Sequence, residues 1–100
     1  MPSQDKAKNA RKESPLSVAL ATQLRAERAA ANMTVEELAR RSGVSRNSLL
    51  AVLNGQRPAD VSQLDAICKA LGVPMILMWE RTEARMRSEA PRDMREASGG

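Results

Sequence analysis

Apolar residues along the chain fall into short stretches with helical spacing, separated by residues that stop helices. Leu16, Leu20 and Leu24 recur every four positions after Ser14-Pro15, a cap residue followed by proline at the first helical position. They predict a first helix that runs to about Ala31 with these leucines along one face. Asn32 follows, and asparagine tolerates the left-handed conformation that ends many helices. Thr34-Val-Glu-Glu37 has the spacing of a capping box, in which the threonine hydroxyl accepts from the Glu37 backbone N–H and the Glu37 side chain reaches back. It opens a second helix over about 35–42, closed by Gly43. Ser45 caps a third helix over about 46–54, closed by Gly55, and Pro58 breaks the loop that follows. Asp60 with Gln63 forms a second capping box and opens a fourth helix to about Leu71, closed by Gly72. Pro74 starts a fifth helix, to about Arg85. The pattern predicts an all-α domain of five short helices.

The flanks differ. Residues 1–13 are polar and charged without an apolar period and read as a flexible basic arm; residues 88–100 read as a disordered tail, leaving a domain over 14–87. A core of this size folds with a narrow margin, which favours association with a partner. One Trp, with no Phe or Tyr, means that aliphatic residues, Met and Ala fill the interior, a composition suited to packed helices. The net charge of +4 fits a polyanionic partner. Basic and acidic residues nearly balance between Leu16 and Glu83, so much of the excess lies in the arm, at Lys6, Lys8, Arg11 and Lys12. Cys68 is the only cysteine, which excludes an intrachain disulfide and fits a reducing, cytoplasmic compartment. The N-terminal basic residues are followed by no apolar run of the signal-peptide kind, and Met75-Ile-Leu-Met-Trp79 is far too short to span a bilayer.

The chemistry is concentrated between Leu38 and Arg57. Two helices crossing through a tight turn need a small residue where they touch, positive φ in the turn, and apolar contacts that fix the angle. Ala39, Gly43, and Leu38, Val44, Leu49 and Val52 meet these requirements in order. The third helix then has two faces. Leu49, Val52 and Leu53 point inward, while Asn47, Leu50, Ala51 and Asn54 share another face with Arg46 at its N-terminal end. An α-helix fits the major groove of B-DNA, where Arg reads guanine and Asn reads adenine through paired hydrogen bonds; small or aliphatic neighbours meet thymine methyls.

From about Leu20 to Trp79 the sequence resembles the Cro and lambda-repressor type (XRE-like) helix-turn-helix family. The carriers are Arg28 with Met33-Thr34, Glu36-Glu37-Leu38-Ala39, Gly43-Val44-Ser45-Arg46, Asn54-Gly55-Gln56-Arg57, Val61 with Leu64, and Ile67 to Val73. The resemblance implies a five-helix lambda-repressor-like domain whose third helix reads the major groove. It places Arg46, Asn47, Ser48 and Ala51 at base-facing or phosphate-facing positions and Arg57 in a phosphate-contacting loop. With the face read above, the expected DNA-contacting set is Thr34, Val35, Ser45, Arg46, Asn47, Ser48, Leu50, Ala51, Asn54 and Arg57. Four departures stand out. Val35 replaces a glutamine that commonly grips phosphate, although the backbone N–H groups at Thr34 and Val35 remain able to bind it. Glu27 stands where Leu is frequent, Leu53 stands where Glu is frequent, and Ile76 and Leu77 occupy usually polar positions.

Those last two give the fifth helix an apolar surface on nearly every side. One side is expected to pack on Leu64, Ile67 and Leu71; the other, with Ile76, Leu77, Trp79 and Glu80, is expected to form a homodimer interface. Leu50 reads equally as a thymine contact or as a scattered surface leucine, and Cys68 as a small buried apolar residue. Without His, with Cys68 in an apolar stripe and without a Gly-rich phosphate loop, nothing in the chain points to catalysis, a metal, a cofactor or a small-molecule substrate. The reading is a small phage or bacterial repressor that occupies an operator in double-stranded DNA. The alternative is a protein-interaction module, antitoxin-like or anti-repressor, that docks a partner through its fifth helix.

Overall fold

The computed structural model describes residues 14–88, so the arm and most of the tail, with the expectations placed on them, lie outside the described residues. Five helices follow one another: α1 (Pro15–Ala30), α2 (Val35–Ser42), α3 (Arg46–Leu53), α4 (Val61–Leu71) and α5 (Met75–Ser88). The described residues contain no strand.

Local chemistry sets the boundaries. Ser14 caps α1 by accepting from the Ser17 N–H at 3.1 Å, and Asn32, with φ +55°, is the non-glycine residue in the left-handed region where the chain leaves it. Gly43, with φ +76°, ends α2 in the same conformation, which a side chain would strain. Asp60 and Gln63 make the full reciprocal box at the start of α4. The box expected at Thr34 is only half made. Thr34 accepts from the Glu37 N–H at 3.0 Å, but the Glu37 carboxylate turns to Arg41 at 2.6 Å, with Arg40 at 3.8 Å, because a cation one turn along the helix competes for it. At the other end of the chain, α5 extends three residues beyond the expected Arg85.

The core is one aliphatic cluster in which Leu24, Leu38, Leu49, Ile67 and Met78 are fully enclosed, joined by Leu20, Val52, Leu53, Leu64 and Cys68. Burial pushes the Cys68 thiol up, with the charges of Asp65 and Glu27 adding to the effect, which suits an inert packing residue. Leu16 does not share the buried face with Leu20 and Leu24: it lies in the first turn and is 43% exposed. Polar residues take the next places along that stripe instead, since Gln23 and Glu27 are both buried.

The partner of that polar stretch is α5. This helix turns 99° away from α4 and packs chiefly against α1, while Met78, in one cluster with Leu64 and Ile67, keeps the expected but smaller contact with α4. Glu27 Oε2 accepts from Gln23 Nε2 and from Arg81 Nη1, both at 2.6 Å, and Arg85 Nε donates to Gln23 Oε1 at 3.1 Å. Met78 and Thr82 supply the enclosed face of α5, the Thr82 hydroxyl donating to the Met78 carbonyl at 2.8 Å.

Candidate nucleic-acid interface

The α2–turn–α3 unit is fixed from beneath. Leu38 and Leu49 are fully buried, Val44 and Val52 nearly so, and Ala39 packs against the same cluster. Within the turn, the Ser42 hydroxyl donates to the Ala39 carbonyl and accepts from the Val44 N–H. Ser45 caps α3 by accepting from the Ser48 N–H at 3.2 Å, so its hydroxyl already has a structural task. Leu49 and its neighbours thereby set the angle of α3, and the opposite face is left outward.

That outward face carries the expected residues with different accessibility. Thr34, Ser45, Arg46, Asn47, Asn54 and Arg57 are exposed, whereas Val35, Ser48, Leu50 and Ala51 are half-buried. The chain after α3 folds back on its last turn, with the Gln56 and Arg57 N–H groups donating to the Ala51 carbonyl at 2.9 and 3.3 Å, which keeps exposed Arg57 close to α3. Arg46 is not loose: its Nε donates to Glu36 Oε2 at 2.8 Å, joining the first turn of α3 to the first turn of α2. The Arg46 hydrogen bond, followed by the Glu36 backbone, holds the Glu36 carboxyl below the usual carboxylate range.

Two further arginines position this surface, and sequence reasoning assigned neither role. Arg25 Nη1 donates to the Leu53 carbonyl and its Nη2 to Thr22 Oγ1, so α1 holds the C-terminal end of α3 with a cation, the favourable charge at that end of a helix. A Cβ on Gly55 would lie 3.7 Å from the Ala21 side chain, showing how closely α1 passes the end of α3. Arg28 Nη1 donates to the Met33 carbonyl at 2.7 Å and fixes the link into α2, while its buried Nε has no hydrogen-bond partner. The signal for Arg25 is a cation five residues before the end of α1, which nothing along the chain distinguishes from a solvated surface charge.

A helix-turn-helix domain model matches residues 19–78, the span from the second turn of α1 into the start of α5. The chain belongs to the helix-turn-helix domain family. With that membership it is a DNA-binding regulator. Its fold is similar to that of the clp gene regulator ClgR from C. glutamicum, with 30% identity, a TM-score of 0.67, and coverage of 77% of this chain and 96% of that one. It is similar also to a mutant of the restriction-modification controller protein C.Esp1396I, with 21% identity, a TM-score of 0.71, and coverage of 75% and 97%. No curated protein matches the sequence. The described residues contain no acidic, His or Cys cluster able to hold a metal, and no single helix long and apolar enough to cross a membrane.

Proposed function

We propose that this helix-turn-helix protein is a sequence-specific repressor of the small phage or bacterial kind, which occupies an operator by laying α3 in the major groove. The observation that carries the reading is the outward N-terminal end of α3: Arg46 and Asn47 are exposed on a helix whose opposite face is locked into the core. Both residue types form paired hydrogen bonds with base edges. Around them, the α2 N-terminus at Thr34 and Val35 and the exposed guanidinium of Arg57 supply phosphate contacts that set register. The solved relatives named as a gene regulator and a controller protein support a regulatory role.

The operator is read by a symmetric dimer in this proposal. Ile76 is 76% exposed in the first turn of α5, with Glu80 exposed one turn further and Leu77 half-buried beside it. Trp79 packs partly against the core and so serves this face as a buttress. Two α3 helices about 34 Å apart then meet half-sites one turn apart. The same exposed isoleucine favours the second reading, docking of another protein through α5.

Selection of bound sequences from random duplex DNA tests the proposal, because it returns specificity and half-site symmetry together. Arg46→Ala and Asn47→Ala are each expected to cost about 1–3 kcal/mol on the selected site and to relax preference at one or two base pairs. Equal losses on selected and random duplexes would limit both residues to backbone contact. A protein-docking module would return no site.

A further inference from the structure

We propose that Glu36 is a specificity-determining positioning residue, which holds Arg46 by its Nε so that the guanidinium is presented to a base rather than spent on phosphate. The inference rests on the DNA-reading role of α3 proposed above. Glu36 and Arg46 lie on different helices, ten residues apart, and their exposed ion pair joins the first turn of α2 to the first turn of α3. Only Nε of Arg46 is engaged, and the edge formed by the two terminal nitrogens has no protein partner among the described residues. That edge presents two donors, as the paired acceptors N7 and O6 of guanine require.

The energetic logic follows from charge. Non-specific binding to duplex DNA is supplied by cations that neutralise phosphates and release counterions. An unpaired arginine at the head of α3 would serve that purpose on any sequence. Paired with Glu36 at 2.8 Å, Arg46 brings a neutral pair to the groove, and a neutral pair draws phosphate less than a free guanidinium does. Guanine loses less by this neutralisation, because a neutral base accepts from the terminal nitrogens while Nε stays on Glu36. Discrimination therefore rises through loss of affinity for the wrong DNA. Val35 fits the same arrangement: with no polar side chain at the first position of α2, the brace for the head of α3 comes from the next residue.

The test compares the full chain with Glu36→Gln, Arg46→Ala and the double variant, using the duplex recovered by selection and a random duplex, across a salt series. Glu36→Gln is expected to tighten binding to random duplex about tenfold at 50 mM salt and to steepen the salt dependence by about one phosphate contact, a slope change of about 0.9. Affinity for the selected site should change by less than about threefold, so the ratio between the two falls, and base preference should relax at the pair that Arg46→Ala also relaxes. In the Arg46→Ala background the same Glu36 substitution should move random-duplex affinity by no more than about twofold, since the effect runs through the arginine. A tightening that persists without Arg46 would mean that the carboxylate merely repels phosphate, and would overturn the positioning role. An unchanged Glu36→Gln protein, when the wild type does select a site, would also overturn it while leaving the regulator reading intact. A wild type that selects no sequence would overturn both. Circular dichroism of each variant confirms the fold, which an exposed pair is not expected to disturb.

Discussion

Replacing Glu27 by alanine should loosen α5 from α1, and the structure sets the size of the effect. Glu27 is 8% exposed and accepts two hydrogen bonds on one oxygen, from Gln23 and from Arg81, each at 2.6 Å. Removing the carboxylate leaves the Gln23 amide, itself 7% exposed, with an unpaired donor, which costs about 1–3 kcal/mol. The ion pair adds less, because the Arg81 side chain is 44% exposed and rehydrates; about 0.5–1 kcal/mol is appropriate after solvent screening. Glu27→Ala is thus expected to destabilise by about 2–3 kcal/mol, and since a domain of this length shifts by about 4–8 °C per kcal/mol, Tm should fall by about 10–20 °C. Urea and thermal unfolding of Glu27→Ala, Arg81→Ala and the double variant measure both the loss and the coupling, expected at about 1 kcal/mol. A Tm drop below about 3 °C for Glu27→Ala, or a coupling under about 0.3 kcal/mol, would show that the polar seam is a bystander and that Met78 alone secures α5.

Two further outcomes bear on how the protein meets DNA. Sedimentation should show a dimer for the wild type and a monomer for an Ile76→Glu, Leu77→Glu double variant, each buried apolar side chain contributing about 1.5–3 kcal/mol before the cost of association; a wild type monomeric at high micromolar concentration, with and without operator, would exclude the α5 interface. Deletion of residues 1–12, which removes Lys6, Lys8, Arg11 and Lys12, should flatten the salt dependence of DNA binding, and an unchanged slope would assign the arm no contact with phosphate.

Helix ends were the most legible part of this chain, because caps are local chemistry. Ser14, Thr34, Ser45 and Asp60 each accept from the N–H three residues on, as their spacing predicts, and Asn32, Gly43, Gly55 and Gly72 take positive φ at the stops. The turn between α2 and α3 was legible for the same reason, since Leu38, Val44, Leu49 and Val52 belong to one short segment. Partnership between distant helices was not. Periodicity reports which side of α5 is apolar but not which helix covers it, and the pairing of Glu27 with Arg81 spans 54 residues. Leu16 misled because periodicity is blind to length: it keeps the four-residue spacing, yet sits in the first turn, where it stays exposed. At the site, the positions of Arg46 and Asn47 were legible, whereas the hold of Arg25 on α3 was not, because it acts on the Leu53 backbone carbonyl, which has no sequence signature.

Three of the four departures of this chain from the wider XRE-like pattern make physical sense when each is taken with the arginine that answers it. A carboxylate at position 27 in a buried stripe would be untenable alone, and Arg81 on α5 answers it, with Arg85 on the adjoining Gln23. An apolar residue at 53 cannot bond to a neighbouring helix through its side chain, and Arg25 ties α1 to its main-chain carbonyl. Val35 cannot brace the head of α3, and the Glu36–Arg46 pair joins α2 to α3 one position later. In each case an arginine supplies a polar tie between two helices at or beside the departing residue. A guanidinium suits this use because it stays charged at every working pH and offers several donors on one long arm, so one end stays bonded within the fold as another reaches water or a ligand. The ties lie at both ends of α3 and along the α1–α5 seam, so the reading face and the proposed dimer face are held to one frame. On that frame, a shift of α5 against α1 would change the distance between the two α3 helices of the proposed dimer. Operator affinity should therefore be more sensitive to Glu27 than to an exposed charge such as Lys69, although Glu27 is not among the expected DNA-contacting residues.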